Sequence, residues 1–209
     1  MKTDILIVKY NNPVWEDFCI EAVKYWTVPH HEIIIHDNYP DNKNIGYLWN
    51  QMIKRSKAEY ICLLNTDAIV QKDWLTNLMT TYQDVSKVGA VGPTTNRSKN
   101  IQSTLKKAGR EQKFHRMDGY ETLSGFCLHF PRHVWKEVNG FPEDFGFYGQ
   151  EVAFLDRVRS RGYKEIWRQD SFVWHYGSAT VKKEQAEGKF DELEERRQAR
   201  KRVQELRQP

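Results

Sequence analysis

Three short apolar runs, each closed by polar turn residues and separated by helix-like segments, fill the first third of the chain and restrict it to a sheet assembled from βαβ units. Asp4 to Lys9 stops at Tyr10-Asn11-Asn12-Pro13, Glu32 to His36 ends in Asp37-Asn38, and Glu59 to Leu64 ends in Asn65-Thr66-Asp67. Between them, Val14 to Trp26 has helical spacing with Trp15, Phe18, Ala22 and Tyr25 on one side, and Asn44 to Ser56 reads as a second helix. Right-handed crossovers then give a mainly parallel sheet, and such sheets bind ligands beyond the carboxyl ends of their strands. The polar residues that close the three runs are therefore the first place to look for a site.

The rest of the chain continues the alternation. Trp74 to Tyr82 predicts a helix and Val88 to Pro93 a strand with a tight exit, whereas 94–118 has little apolar periodicity. That stretch carries Arg97, Lys99, Lys106, Lys107, Arg110, Lys113 and Arg116 against Glu111 and Asp118, and reads as a basic, mobile loop. Glu121 to Phe130 predicts a strand around Ser124-Gly125, Pro131 to Val138 a helix, and Gln150 to Arg161 another after the glycine- and aromatic-rich stretch 140–149. Tyr163 to Trp167 and Phe172 to Trp174 read as two short strands, and Val181 to Arg207 as a charged, solvated helix or frayed tail. Tyr47 and Trp49 are expected in the core.

With 209 residues, 39% hydrophobic and 29% charged, the chain suits one globular domain with a short appendage. A net charge of +4 does not by itself argue for nucleic acid. Cys19, Cys62 and Cys127 are too scattered for a zinc site and read as reduced, buried thiols. Met1-Lys2-Thr3 leads directly into the first strand, and no stretch reaches the roughly 18 apolar residues of a membrane helix. The expectation is a cytoplasmic protein.

A carboxylate where a buried strand meets solvent can hold a hard divalent cation, which makes Asp67 the first metal-ligand candidate; Asn65-Thr66-Asp67 is equally good turn chemistry. Glu151 stands near a helix start, where an acid can take a proton from a hydroxyl or simply complement the helix dipole. His175, between Trp174 and Tyr176, can be a ligand or a satisfied half-buried imidazole. Asn44 can cap a helix, and Gly46 can mark close packing or close ligand approach.

Taken in order, Tyr10-Asn11, Asp37-Asn38, the Asn44-Ile45-Gly46-Tyr47-Leu48-Trp49-Asn50 segment and Asn65-Thr66-Asp67 resemble the donor half of the family-two glycosyltransferases. Leu123-Ser124-Gly125-Phe126-Cys127, Gly140-Phe141-Pro142-Glu143, Tyr148-Gly149-Gln150-Glu151 and His175-Tyr176-Gly177-Ser178 resemble that family's acceptor-side elements. The resemblance implies a GT-A fold: an α/β, Rossmann-like, mainly parallel twisted sheet flanked by helices, here with a charged C-terminal helical tail. The catalytic domain would span 1–180, with a donor half 1–93, the basic loop 94–118 and an acceptor half 119–180, leaving 181–209 as the tail.

It further implies an inverting, metal-dependent transfer of sugar from a nucleotide diphosphate sugar, a UDP-sugar above all, to a hydroxyl of a saccharide or glycoconjugate. Asp67 and His175 would hold Mn²⁺ or Mg²⁺, and Glu151 would be the general base. Tyr10, Asn11, Asp37, Asn38, Asn44, Gly46, Asn50, Asn65, Thr66, Ser124 and Gly125 would line the donor, with Asp37 reading its base and ribose. Three residues depart from the family pattern: Asn65, Gln150 and Ala153 stand where acids are commoner. The basic loop and the tail residues Arg196, Arg197, Arg200, Lys201 and Arg202 leave a second acceptor open, modified bases of DNA; the missing acids leave a third reading, a non-catalytic sugar or nucleotide-sugar binder.

Overall fold

The computed structural model describes residues 1–98, 100–104, 114–117, 121–177, 179–186, 188 and 191–207. The elements run β1 (Thr3–Lys9), α1 (Pro13–Trp26), β2 (His31–Asp37), α2 (Ile45–Arg55), β3 (Tyr60–Leu64), β4 (Ala68–Val70), α3 (Trp74–Asp84) and β5 (Val88–Thr94). They continue with β6 (Phe114–Arg116), β7 (Cys127–Pro131), α4 (Arg132–Glu137), α5 (Gln150–Ser160), β8 (Lys164–His175), α6 (Ala179–Ala186) and α7 (Glu192–Arg207).

The sheet has the order β2-β1-β3-β7-β5-β8-β4, with β6 also on β8. β1 is parallel to β2 and β3, and β5 is parallel to β8, while β7 runs antiparallel to both neighbours. The five long strands β2, β1, β3, β5 and β8 thus share one direction, and β7 is reversed among them. That reversal matters for the site. Cys127 opens β7 opposite Leu64, the last residue of β3, so the residues just before β7 lie at the same sheet edge as Asn65-Thr66-Asp67.

Alternation along the strands sends side chains to two cores, one on each face. Leu6 joins Trp49, Ile53, Trp135, Phe141, Phe154 and Trp167, while Ile5 and Ile7 join Cys19, Val23, Trp74, Leu75 and Phe126. Helices α2, α4 and α5 cover the first face, α1 and α3 the second, as a sheet buried on both sides requires. Beneath them His129 is fully buried, with Thr3 Oγ1 3.1 Å from Nε2 and the Tyr82 hydroxyl 3.1 Å from Nδ1. Burial drives its pKa down to about 3, so the ring is neutral.

Several local expectations change. The aromatic side of α1 does not face the core: Glu16, Cys19 and Val23 are buried, whereas Phe18 and Tyr25 are 61% and 76% exposed. Glu16 turns inward because backbone N–H groups await it there. Tyr47 is exposed, while Trp49 is buried as expected. The strand expected around Ser124-Gly125 begins only at Cys127, because the preceding amides bond to side chains instead of a ladder: Leu123 N–H to Glu165 Oε2 and Ser124 N–H to Gln102 Oε1.

The runs read at Tyr163 to Trp167 and Phe172 to Trp174 fall, from Lys164 on, in one strand, β8, whose register against β5 shifts at Pro93/Thr94 and absorbs the polar residues between them as a bulge. Among the described residues, strand β4 pairs with β8 alone, a long-range partner that its three residues do not announce. Of the basic loop, Thr95 bridges to Ser103 and 114–116 form β6, while Lys99, Lys106, Lys107, Arg110 and Lys113 lie outside the described residues, as does Ser178. The tail forms α6 and α7, and α7 packs Ala199 and Val203 against Phe145 and Ala153. All three cysteines are free and buried, and among the described residues no helix is long and apolar enough to cross a membrane.

Candidate active site

Asp67 and His175 are brought together by the pairing of β4 with β8, in which Ala68 lies opposite His175. Ala68 N–H donates to the Asn65 carbonyl in the tight turn that leads there. Asp67 Oδ1 ends 3.3 Å from His175 Nε2, and Oδ2 accepts the Ala179 N–H at 3.2 Å. Burial alone would raise the Asp67 pKa, but the His175 contact and charge, joined by backbone N–H groups, outweigh it and hold the carboxyl below its usual range. The His175 ring stacks on Phe126 at 4.8 Å between centroids, and its backbone N–H donates to Asn96 Oδ1 at 2.7 Å.

An ionised carboxylate beside an imidazole nitrogen is a donor set that suits Mn²⁺ or Mg²⁺. Among the described residues no group of three or more His, Cys, Asp or Glu side chains converges.

Glu151 is reached through the segment before β7. Gly149 takes φ +101° to start α5, which puts Glu151 in the first helical turn. A Cβ on Gly125 would lie 3.1 Å from Glu151 Cγ, so glycine there is what lets the acid lie flat against the backbone. Phe126, the next residue, carries the His175 ring, and its carbonyl accepts the Asn65 N–H at 2.9 Å. The segment Gly125-Phe126 therefore touches the candidate base on one side and the Asp67–His175 pair on the other. Burial raises the Glu151 pKa, against the opposing pull of the helix-start N–H groups and of Arg196.

Around this centre the strand-end residues separate into two groups. Asn65 and Asp37 are exposed, Thr66 is buried, and Tyr10 and Asn11 sit half-buried on a turn shaped by Glu16. Glu16 Oε1 accepts the N–H groups of Tyr10 and Asn12, both at 3.0 Å, and its other oxygen pairs with Lys9 at 3.2 Å. The Asn11 carbonyl accepts Lys183 Nζ at 2.6 Å, and Asp37 Oδ1 accepts Tyr39 N–H.

The other group is engaged inside the protein. Asn38 clasps Lys43 with both ends of its amide, 2.9 and 2.8 Å. Asn44 caps α2 by accepting Tyr47 N–H at 3.0 Å and donates to the Phe145 carbonyl. A Cβ on Gly46 would lie 2.2 Å from the Pro142 carbonyl oxygen. Asn50 donates to the Phe141 carbonyl and Glu143, and accepts from Trp135 Nε1 and Phe141 N–H, which uses the full capacity of its amide. The segment Asn44 to Asn50 thus holds the loop 140–145 in place. Gln150 likewise donates to the Gly146 carbonyl, and Ala153 is the small surface on which α7 rests.

Glu16, Asn96 and Phe126 escape a reading of the sequence. Only Glu16 leaves a local signal, an acid in the first helical turn placed to reach back to the N-cap amide at Asn12. An open groove of about 760 Å³ flanked by Lys54, Trp135 and Phe141 is lined by none of Asp67, Glu151 or His175.

No protein-family description and no curated protein matches this chain. Solved structures do. A mannosyltransferase from Pyrobaculum calidifontis, in complex with GDP-Man and Mn²⁺, superposes with a TM-score of 0.65 over 83% of this chain at 16% identity. The catalytic domain of Drosophila β1,4-galactosyltransferase 7, in complex with xylobiose, gives 0.59 over 86% at 18% identity. GalNAc-T7, with UDP, GalNAc and Mn²⁺, gives 0.65 over 83% at 10% identity. The chain spans 56%, 72% and 43% of those three chains.

Proposed function

From the GT-A fold that this chain shares with those glycosyltransferases, we propose that it transfers a sugar from a nucleotide diphosphate sugar to an acceptor hydroxyl with inversion at the anomeric carbon. The observation that carries the reading is the placement of Asp67, His175 and Glu151 around one short segment, Gly125-Phe126, at the carboxyl edge of the sheet. Neighbours of this fold were solved with Mn²⁺ and with UDP- or GDP-linked donors.

Asp67 and His175 would hold Mn²⁺ or Mg²⁺, which when bound neutralises the charge that develops on a departing diphosphate. Asn65, Thr66, Tyr10 and Asn11 border the donor at the ends of β1 and β3, and the exposed Asp37 carboxylate meets the hydroxyls or base of a UDP-type nucleoside. Asn38, Asn44, Gly46 and Asn50 shape the surrounding loops. Gly125 is the floor on which Glu151 lies, and Ser124 precedes it with its N–H on Gln102. Glu151 accepts the proton of the acceptor hydroxyl as it attacks, and the raised pKa of its carboxyl brings it closer to the working pH of a general base. A single displacement with the base on the side away from the leaving group inverts the configuration.

The acceptor is a saccharide or glycoconjugate hydroxyl, the class represented by xylobiose in one neighbour. One observation favours modified bases of DNA instead: a groove of about 430 Å³ along α7 is lined by Arg196, Arg197, Arg200 and Lys201. Binding to duplex DNA that falls steeply with salt separates the second acceptor from the first. The buried free thiols accord with a cytoplasmic setting.

A thermal-shift screen of UDP- and GDP-sugars with and without Mn²⁺ tests the donor half. The expected result is a metal-dependent rise in Tm for one nucleotide class; no rise with any donor at millimolar concentration would overturn the proposal.

A further inference from the structure

Helix α7 does more than cover a surface. It rests on the turn that launches the helix of Glu151, and the turn is built to receive it. Glu195 Oε2 accepts the Phe147 N–H at 2.9 Å, and a Cβ on Gly146 would lie 2.3 Å from that same oxygen. A Cβ on Gly149 would lie 3.2 Å from Ala199 Cβ, and Ala199 packs with Ala153 and Phe145. Arg196 places its guanidinium 3.9 Å from the centroid of the Tyr148 ring and is held there by Glu192 at 2.6 Å. At the two ends, Arg202 pairs with Asp144 and Arg207 makes two bonds to Asp156 at 2.7 and 2.9 Å. Residues from one end of the loop to the middle of α5 are thus fastened to one charged helix, and Glu151 lies between the fastenings.

Building on the reading of Glu151 as base, we propose that Glu195 and Arg196 of α7 are positioning residues for its carboxylate. Glu195 fixes the Gly146-Phe147 turn from which α5 starts, and Arg196 supplies a positive charge beside that turn. The direction of the Arg196 effect on Glu151 is to favour the ionised form, opposite to the effect of burial. From α7, Glu195 on the Phe147 N–H and Arg196 over the Tyr148 ring, the latter paired with Glu192, are the charged groups beside the turn; in the loop, Glu143 and Asp144 are turned to Asn50 and Arg202, and the segment Leu123 to Phe126 carries no charge. Two of the three positions that depart from the family pattern then have one cause. Gln150 holds the Gly146 carbonyl and Ala153 leaves room for α7, so both serve the docking of this helix.

The test uses the full chain and needs no substrate for its first part. The ¹³C-labelled side-chain carboxyl of Glu151, assigned with Glu151→Gln, is titrated by NMR in the wild type, Arg196→Gln and Arg196→Lys. The midpoint is expected to move up in Arg196→Gln and to return towards the wild-type value in Arg196→Lys; an unchanged midpoint in a folded Arg196→Gln overturns the role of Arg196.

Glu195→Ala is expected to speed amide exchange at Phe147 and to lower kcat for transfer on the order of tenfold to a hundredfold with the donor KM unchanged. Equal loss in kcat and donor affinity, or no loss, overturns the role of Glu195. A shifted Glu151 midpoint in a chain without transfer activity would leave the influence of the Arg196 charge standing and remove only the assignment of Glu151 as base.

Discussion

Two polar motifs from the amino-terminal half, Asn44 to Asn50 and Asn65 to Asp67, look alike as sequence and behave oppositely in the fold. The first has every amide group of Asn50 matched by an internal partner, and Gly46 is pressed against a backbone carbonyl. The second exposes Asn65 and aims the Asp67 carboxylate at an imidazole from a strand more than a hundred residues away. A polar side chain at a strand or helix end becomes a candidate ligand only if its hydrogen-bonding capacity is not already consumed, and that accounting separates scaffold from site.

Asp67→Ala should cost on the order of 1,000-fold in nucleoside diphosphate release, the loss of several kcal/mol of charge stabilisation, with native circular dichroism retained. Near-normal turnover would move the metal site elsewhere. Glu151→Gln should lower transfer by about 100-fold or more while calorimetry shows unaltered donor binding; a loss of donor affinity of the same size would place Glu151 on the donor side instead.

Asn50→Ala should show the reverse pattern. It strands the Trp135 and Phe141 groups in the core and is expected to destabilise the fold by about 3 kcal/mol in urea unfolding, with donor affinity unchanged in the folded fraction. Weakened donor binding without a stability loss would return Asn50 to the site.

The buried scaffold also has a pH signature. His129 stays neutral in the native state down to about pH 3, whereas in the unfolded chain it gains a proton near its ordinary value of 6.5. Its contribution is therefore complete above that value and lost as pH falls through the window below it. Unfolding free energy should drop by about 1.4 kcal/mol per pH unit there, and His129→Gln should flatten that slope. The smallest effect is expected for Asn44→Ala, about 1 kcal/mol from a lost helix cap, read as a modest fall in Tm.

How much of this was legible in the chain depends on the range of the interaction. The strands β1 to β3, their turns and helices α1 and α2 follow from apolar runs and punctuating residues, because those signals lie within a few residues of one another. The face that α1 buries does not follow, since Glu16 turns inward to meet the amides of Tyr10 and Asn12 while Phe18 and Tyr25 stay outside. The unity of β8 does not follow either, because a bulge against β5 joins two runs that look separate.

Apolar runs and their closing turns were enough for the alternation of strands and helices and for the shared edge where β1, β2 and β3 end. Tertiary structure decided which residues meet there: β4 pairing on β8 carries Asp67 to His175, and the reversal of β7 lays Gly125 against Glu151. It also decided that α7 docks Ala199 and Val203 on the α5 turn while most of its charged side chains stay in solvent. The division has a physical reason. Propensity and turn chemistry act along the chain, whereas the satisfaction of a buried donor or acceptor depends on partners that only folding brings within reach.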